Sequence, residues 1–412
     1  MTIRREPAVG EGPAMPRRES PTSLTPALHL LLVMARLALT EEQKAAALAL
    51  CARIDDWEAL SRLANERFVL PLAYRHLSRL APGNLPGSSL DAMRETSLSV
   101  VRYNLLAAAA IRQLQEELLV PLEVPHLFFK GPSLSARYYD DPALRFSRDI
   151  DLLVAPERLV ALLERALRQG YVSQMPQGLT AEREGLRFAA GVHHVFSLLS
   201  PQGVAIEIHQ QIDSLGSIYS TQALLDGAET FVMGESEVRV MPTEELFVYI
   251  CLHHTKHHWS HLHWLVDLDA IQRHPSFSLT ACREVAARRG LGATLEACLA
   301  MHRALADPEP WRADIAGHGR ELLGACLMAL EGGWEVELAM ESMKSSADFA
   351  FDWQATPRQR LQGRMQGVVK LLRPTYADYR LWPLPPRWQW LYRLSCPFQK
   401  LHSRLTTGRW RA

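Results

Sequence analysis

Asp149-Ile150-Asp151-Leu152-Leu153-Val154 is the stretch on which the fold turns. Its aliphatic run predicts a strand, and in a strand residues two apart point to the same face. Asp149 and Asp151 therefore project together, while Ile150 and Leu152 point into a core. Two carboxylates this close repel each other unless a cation lies between them. Hard divalent ions such as magnesium take oxygen ligands and bind through carboxylates and substrate phosphates, so a paired Asp-x-Asp on a strand makes a magnesium clamp. Taken alone, the pair reads more simply as a strand end whose acids face water. Its surroundings decide between the two.

Upstream, Val124-Pro125-His126-Leu127-Phe128-Phe129-Lys130 reads as a strand ended by Gly131, with Pro132 placed for the first turn of a short helix running to Tyr139. Free amides at a helix start attract phosphate. Gly131 permits close backbone approach, Ser133 offers a hydroxyl and Lys130 can neutralise a phosphate, although a Gly-Pro helix start is also common for structural reasons alone. Arg145 and Arg148, just before the metal strand, read equally as phosphate contacts or as solvated loop arginines.

Downstream, Pro156 opens a helix with apolar positions Leu159, Leu162, Leu163, Ala166 and Leu167, stopped at Gly170. Residues 192–199 and 204–208 flank Ser200-Pro201-Gln202-Gly203 and predict an antiparallel hairpin. Its second strand, Val204-Ala205-Ile206-Glu207-Ile208-His209, carries an acid among isoleucines. Two-metal phosphoryl transfer needs a third carboxylate, and Glu207 is the candidate; the solvated face of an edge strand is the other reading. His193 and His194 lie in the first strand, where alternation places one of them on the active face.

Farther out the pattern becomes helical. Residues 1–25, rich in Pro, Arg and Glu, read as a disordered leader, 26–119 as a helical lead-in domain, 120–241 as the mixed-sheet domain, and 242–412 as a C-terminal helical domain. That last region ends in a basic aromatic tail over 387–411, fitted to pack on the body, or else to make a weak contact with a membrane surface or with RNA. Forty-five basic residues balance forty-five acidic ones, which argues against a long nucleic-acid template. Six scattered cysteines without CxxC spacing suit free thiols, and the longest early apolar run, 27–39, is too short to span a bilayer. A cytoplasmic protein with no transmembrane segment is expected.

Lys130-Gly131-x-Ser133-Leu134, Tyr139, Asp141-Pro142, Arg145 and the strand from Asp149 to Val154 form a series. It continues through Ile206-Glu207-Ile208-His209 and His253-x-x-Lys256-His257-x-Trp259, with Leu262, Trp264 and Asp267. The series resembles the uncharacterised bacterial nucleotidyltransferase family of the DNA polymerase beta-like superfamily, over residues 127–271, and is specific in combination rather than in any one piece. The resemblance implies an α+β fold, a polymerase-beta-like palm of mixed sheet and helices flanked by N- and C-terminal helical regions. It implies that Asp149 and Asp151 bind two magnesium ions, that Glu207 completes the metal site, and that Gly131 and Ser133 hold a nucleoside triphosphate, with ATP the favoured one. The superfamily's usual Gly-Ser or Gly-Gly pair appears here as Gly131-Pro132-Ser133, which displaces the hydroxyl by one residue.

Six histidines, His253, His254, His257, His258, His261 and His263, crowd a segment read as one helix continuing to Ile271. Spacing by three and four would align His254, His257, His258 and His261 as a transition-metal face. A second reading sets His253, Lys256 and His257 near the triphosphate or base, and a third packs the segment on the sheet with Asp267 paired internally. Three functions follow: nucleotidyl transfer to a hydroxyl of a small molecule, sugar, peptide or protein; a catalytically degenerate nucleotide-binding regulatory module; and a histidine-based metallohydrolase.

Overall fold

The computed structural model describes residues 24–213, 218–342, 353 and 373–396. The leader falls almost wholly outside the described residues, as do the tail positions from 397 onward. Within them lies an α+β structure built on one seven-stranded mixed sheet flanked by helices, the fold class that the sequence predicts.

The strands are β1 (His126–Phe128), β2 (Asp149–Val154), β3 (Val172–Met175), β4 (Val195–Leu199), β5 (Ala205–His209), β6 (Glu229–Met233) and β7 (Ser236–Val240). Their order across the sheet is β3-β4-β5-β2-β1-β7-β6. The expected hairpin is β4–β5, antiparallel, with Ser197 opposite Glu207. Strand β5 then runs parallel to β2, and β1 lies antiparallel on the other side of β2. The acidic strand is thus central, and apart from half-buried Asp149 every residue in it is buried.

A central strand covered on both faces reads as a nearly continuous apolar run, which is why the two aspartates stand out in it. On one face Phe128, Ile150, Leu152, Val154, Ile206 and Ile208 join a core with helices Pro156–Arg168 and Arg183–Val192. Each such side chain contributes about 1.5–3 kcal/mol by leaving water. On the other face Leu127, Phe129 and Leu153 meet a larger helical body.

That body joins segments distant in sequence. Helices between Pro26 and Leu80 share its core with Thr243–Lys256, Leu262–Arg273 and Gly292–Ala304. The Leu37 amide donates to Asp269 (2.8 Å), and Arg67 donates to the carbonyls of Ser260 (3.2 Å) and Leu330 (2.6 Å). The acidic face of β2 and β5 therefore lies under a roof made from helices that precede and helices that follow the sheet strands in sequence. Among the described residues no helix is long and apolar enough to cross a membrane.

The histidine-rich segment departs from expectation. One helix was predicted over 251–271, but Thr243–Lys256 and Leu262–Arg273 are separate, and His258 and Trp259 between them have φ of 53° and 54°. Trp259 is fully buried there, and its packing outweighs the cost of a left-handed backbone. His193 and His194 also lie outside a strand. They follow helix Arg183–Val192 and contact the C-terminal segment, where His193 accepts from the Tyr376 amide (3.1 Å) and His194 lies 2.9 Å from Arg373.

Candidate functional site

Register assembles the site. The parallel pairing of β2 with β5 sets Asp149 beside Ala205, Asp151 beside Glu207 and Leu153 beside His209. Alternation then directs Asp151, Glu207 and His209 to one face, because Ile150, Leu152, Ile206 and Ile208 fill the core on the other. His209 Nε2 lies 3.4 Å from Asp151 Oδ1 and 3.4 Å from Glu207 Oε2. Among the described residues these three form a group able to share an ion, each with a donor atom within 4.8 Å of the others.

Lys130 approaches from the end of β1, with its Nζ 3.0 Å from Asp151 Oδ1. Burial opposes the charge on Asp151, but Lys130 and His209 outweigh it and hold the carboxyl below the usual carboxylate range. Burial likewise favours a neutral Lys130, and the neighbouring acids outweigh it in turn, so the ammonium persists. Asp149, one strand pair farther along the same face, is pushed up to about 6, first by burial and then by the charge of Asp151, against the opposing pull of Lys130. His209 carries the same conflict in reverse. Burial favours the neutral ring, yet Asp151 and Glu207 raise its pKa.

Gly131 supplies the close approach. Its φ is +60°, and a Cβ there would stand 2.4 Å from the Asp149 carbonyl oxygen, so only glycine lets the turn press against the acidic strand. Helix Gly131–Tyr138 begins at this contact. Ser133 is buried in its first turn, and its hydroxyl donates to the Lys130 carbonyl (2.9 Å).

Arg145 takes a different place from the one expected of a phosphate contact. It is buried, and Nε and Nη2 donate to the two oxygens of Asp267 at 2.7 and 2.9 Å, while Nη1 reaches the Gly131 carbonyl at 3.4 Å. Tyr139 adds a hydroxyl to Asp267 at 2.6 Å. Arg145 thus ties the glycine turn to helix Leu262–Arg273 and presents no free edge to a ligand.

His253 is half-buried, stacks on Tyr249 and has its Nδ1 3.4 Å from the Tyr249 hydroxyl. Burial, reinforced by Lys130, lowers its pKa well below the ordinary value and keeps the ring neutral. Lys256 ends the same helix, half-buried. The other histidines of the segment do not gather around an ion: His254 stacks on Trp264 at 4.1 Å, and His261 and His263 meet the edge of Phe68. The aligned metal face expected of them is lost with the helix break.

The structure therefore brings together Lys130, Gly131, Asp149, Asp151 and Glu207, and adds His209. That histidine was visible in the sequence two residues beyond Glu207, and the same alternation that selected Glu207 would have selected it. A protein-family model described as uncharacterised nucleotidyltransferase matches residues 54–307, more than half of the chain. No curated protein matches the chain.

Proposed function

The chain belongs to this family of uncharacterised nucleotidyltransferases, and on that premise we propose that it moves a nucleoside monophosphate from a nucleoside triphosphate, ATP first among them, to the hydroxyl of an acceptor. The acceptor oxygen forms a bond to the α-phosphorus, the bond from that phosphorus to the bridging oxygen breaks, and pyrophosphate leaves. The acceptor's proton passes to a carboxylate and then to solvent. Such transfer depends on positioning and charge neutralisation more than on covalent participation by the protein.

One observation carries this reading: an aspartate on a central strand, buried beside a second acid and 3.0 Å from a lysine ammonium. Carboxylates are rarely buried without compensating positive charge, and Lys130, with His209 and Arg148 beside it, faces the three acids Asp149, Asp151 and Glu207. The residues fit a divalent cation, since Asp151, Glu207 and His209 bring donor atoms within 4.8 Å of one another and His209 Nε2 is buried. Asp149, Asp151 and Glu207 would hold it, magnesium being the ion that the family resemblance implies. When bound, it supplies positive charge to the reacting phosphates and lowers the pKa of the attacking hydroxyl.

The chain's own groups do the rest. Asp151 and Glu207 orient the acceptor side of the reaction, and Lys130 neutralises charge developing on the phosphates. The Gly131 turn and Ser133 present backbone amides to the triphosphate tail. His253 and Lys256 border the nucleotide. A small molecule, sugar, peptide or protein side chain is the acceptor class, and the balanced charge of the chain makes a long nucleic-acid template a poor fit.

The test incubates purified protein with each labelled triphosphate, a divalent ion and a cell extract. Label transferred to an acceptor, with pyrophosphate released in equal amount, is the expected outcome. An Asp149→Asn, Asp151→Asn double variant that folds as the parent does should lose transfer by at least about 100-fold, the scale of one essential electrostatic contact. Undiminished labelling by that variant would sink the proposal.

A further inference from the structure

We propose that His209 is itself a metal ligand, and that Asp151, Glu207 and His209 form a mixed oxygen and nitrogen site that takes a first-row divalent transition ion in preference to magnesium. This deepens the transferase reading and rests on it for the ion's role, though not for its binding.

Three features of the site carry the inference. The first is donor chemistry. Magnesium favours an all-oxygen shell, whereas imidazole nitrogen suits zinc, iron and their neighbours, and a carboxylate and imidazole mixture accommodates manganese as well. The second is spacing. Donors that share one small cation at about 2.0–2.2 Å stand roughly 3–3.5 Å apart, and His209 Nε2 is 3.4 Å from an oxygen of each acid. The third is that His209 Nε2 is buried and has only the two carboxylates at 3.4 Å before it, with 8% of His209 and 2% of Asp151 exposed. A buried imidazole nitrogen aimed at two carboxylates at 3.4 Å, too long for a strong hydrogen bond to either, is placed as a ligand would be before its ion arrives.

Local structure holds the ring for this task. His209 is the last residue of β5, its partner across the sheet is Leu153, and the ring edge packs on Phe129 at 5.1 Å. Asp151 Oδ1 also carries the Lys130 ammonium, so the lysine and the ion divide that carboxylate between them. The competing reading is an imidazolium that merely bridges two acids, and the experiment separates the two.

Full-length, chelator-treated protein is titrated with Mn2+ and free ion is followed by its electron paramagnetic resonance signal, without nucleotide. Bound Mn2+ should show hyperfine coupling to an imidazole nitrogen, and a 10-fold molar excess of Mg2+ should displace less than half of it. His209→Gln should remove the nitrogen coupling and weaken Mn2+ binding by at least about 10-fold, while Mg2+ affinity moves less than about twofold. Bound Mn2+ without nitrogen coupling in the parent protein overturns the inference whatever the variant does, which guards against a variant that fails to fold. Displacement of most Mn2+ by equal Mg2+ also overturns it. The outcomes stay distinct from those of the transferase proposal: nitrogen-ligated Mn2+ without nucleotidyl transfer leaves this inference standing alone, and transfer without nitrogen coupling leaves only the other.

Discussion

At Gly131 the site depends on one missing atom. The residue combines a left-handed backbone with contact against the Asp149 carbonyl, and the two demands can be separated by substitution. Gly203 has φ of +83° and nothing within 4 Å of an added Cβ, so Gly203→Ala meets backbone strain alone, about 1–2 kcal/mol. Gly131→Ala meets the same strain and a carbonyl oxygen at 2.4 Å, and β2 or the turn must move. Urea denaturation should therefore show a larger loss for Gly131→Ala than for Gly203→Ala. Equal losses would mean that the turn does not need its close approach. Sequence identified Gly131 correctly as a turn glycine, but its contact partner is eighteen positions away and only the fold reveals it. The reverse holds for His209, whose position two beyond Glu207 was legible by alternation alone.

Among elements, helix Leu262–Arg273 and the turn before helix Gly131–Tyr138 are held together by the buried Arg145–Asp267 pair. Removing one partner of a buried pair strands the other charge and costs about 3–5 kcal/mol. Asp267→Asn should cost that much, whereas Glu296→Gln in the exposed Arg283–Glu296 pair should leave the midpoint nearly unchanged. Arg145→Lys should recover little, since an ammonium cannot make the paired donation to Asp267. A chemical denaturation midpoint unchanged in Arg145→Lys would refute this account. Strands β2 and β5 were readable because apolar alternation marks them, and so was the helix stopped near Gly170. The break at His258 and Trp259 was not, since positive φ is rare outside glycine and two in a row, one of them a tryptophan, have no local sequence signal; burial of Trp259 accompanies it. The β6–β7 hairpin also escaped notice, because β6 is a short, mostly exposed edge strand in which only Phe231 and Met233 pack on the core.

For the molecule as a whole, joining the N-terminal and C-terminal helices over one face of the sheet buries an unusual number of histidines. His76 is lowered to about 4 by burial, with Arg75 and Arg79 adding to the effect, and His302 to about 4 and His261 to about 3, again by burial first. His253, His254 and His263 lie well below the ordinary value for the same reason. This burial follows from contacts between segments more than a hundred residues apart, so composition showed the histidines but not their environment. A histidine whose folded pKa is depressed binds fewer protons than its unfolded counterpart between the two values. Stability then rises with pH across that window and is lost as pH falls from 6.5 toward 4. Each unit is worth about 1.4 kcal/mol, so His76 alone accounts for roughly 3 kcal/mol, and several such groups rival the whole stability of an ordinary domain, about 5–15 kcal/mol. His209 and Asp149, whose pKa values are raised, work in the opposite sense, but they are two groups against the six depressed histidines named above. Thermal unfolding of chelator-treated protein should be nearly flat above pH 7 and fall steeply between pH 6.5 and 5. In His76→Gln, where an amide can still donate to the Arg36 carbonyl that His76 meets at 2.7 Å, the slope should shrink by the share of one proton. A midpoint that stays constant from pH 7 to 5 would show that these rings are hydrated enough to accept protons in place, and that the roof over the acidic face is looser than its packing indicates.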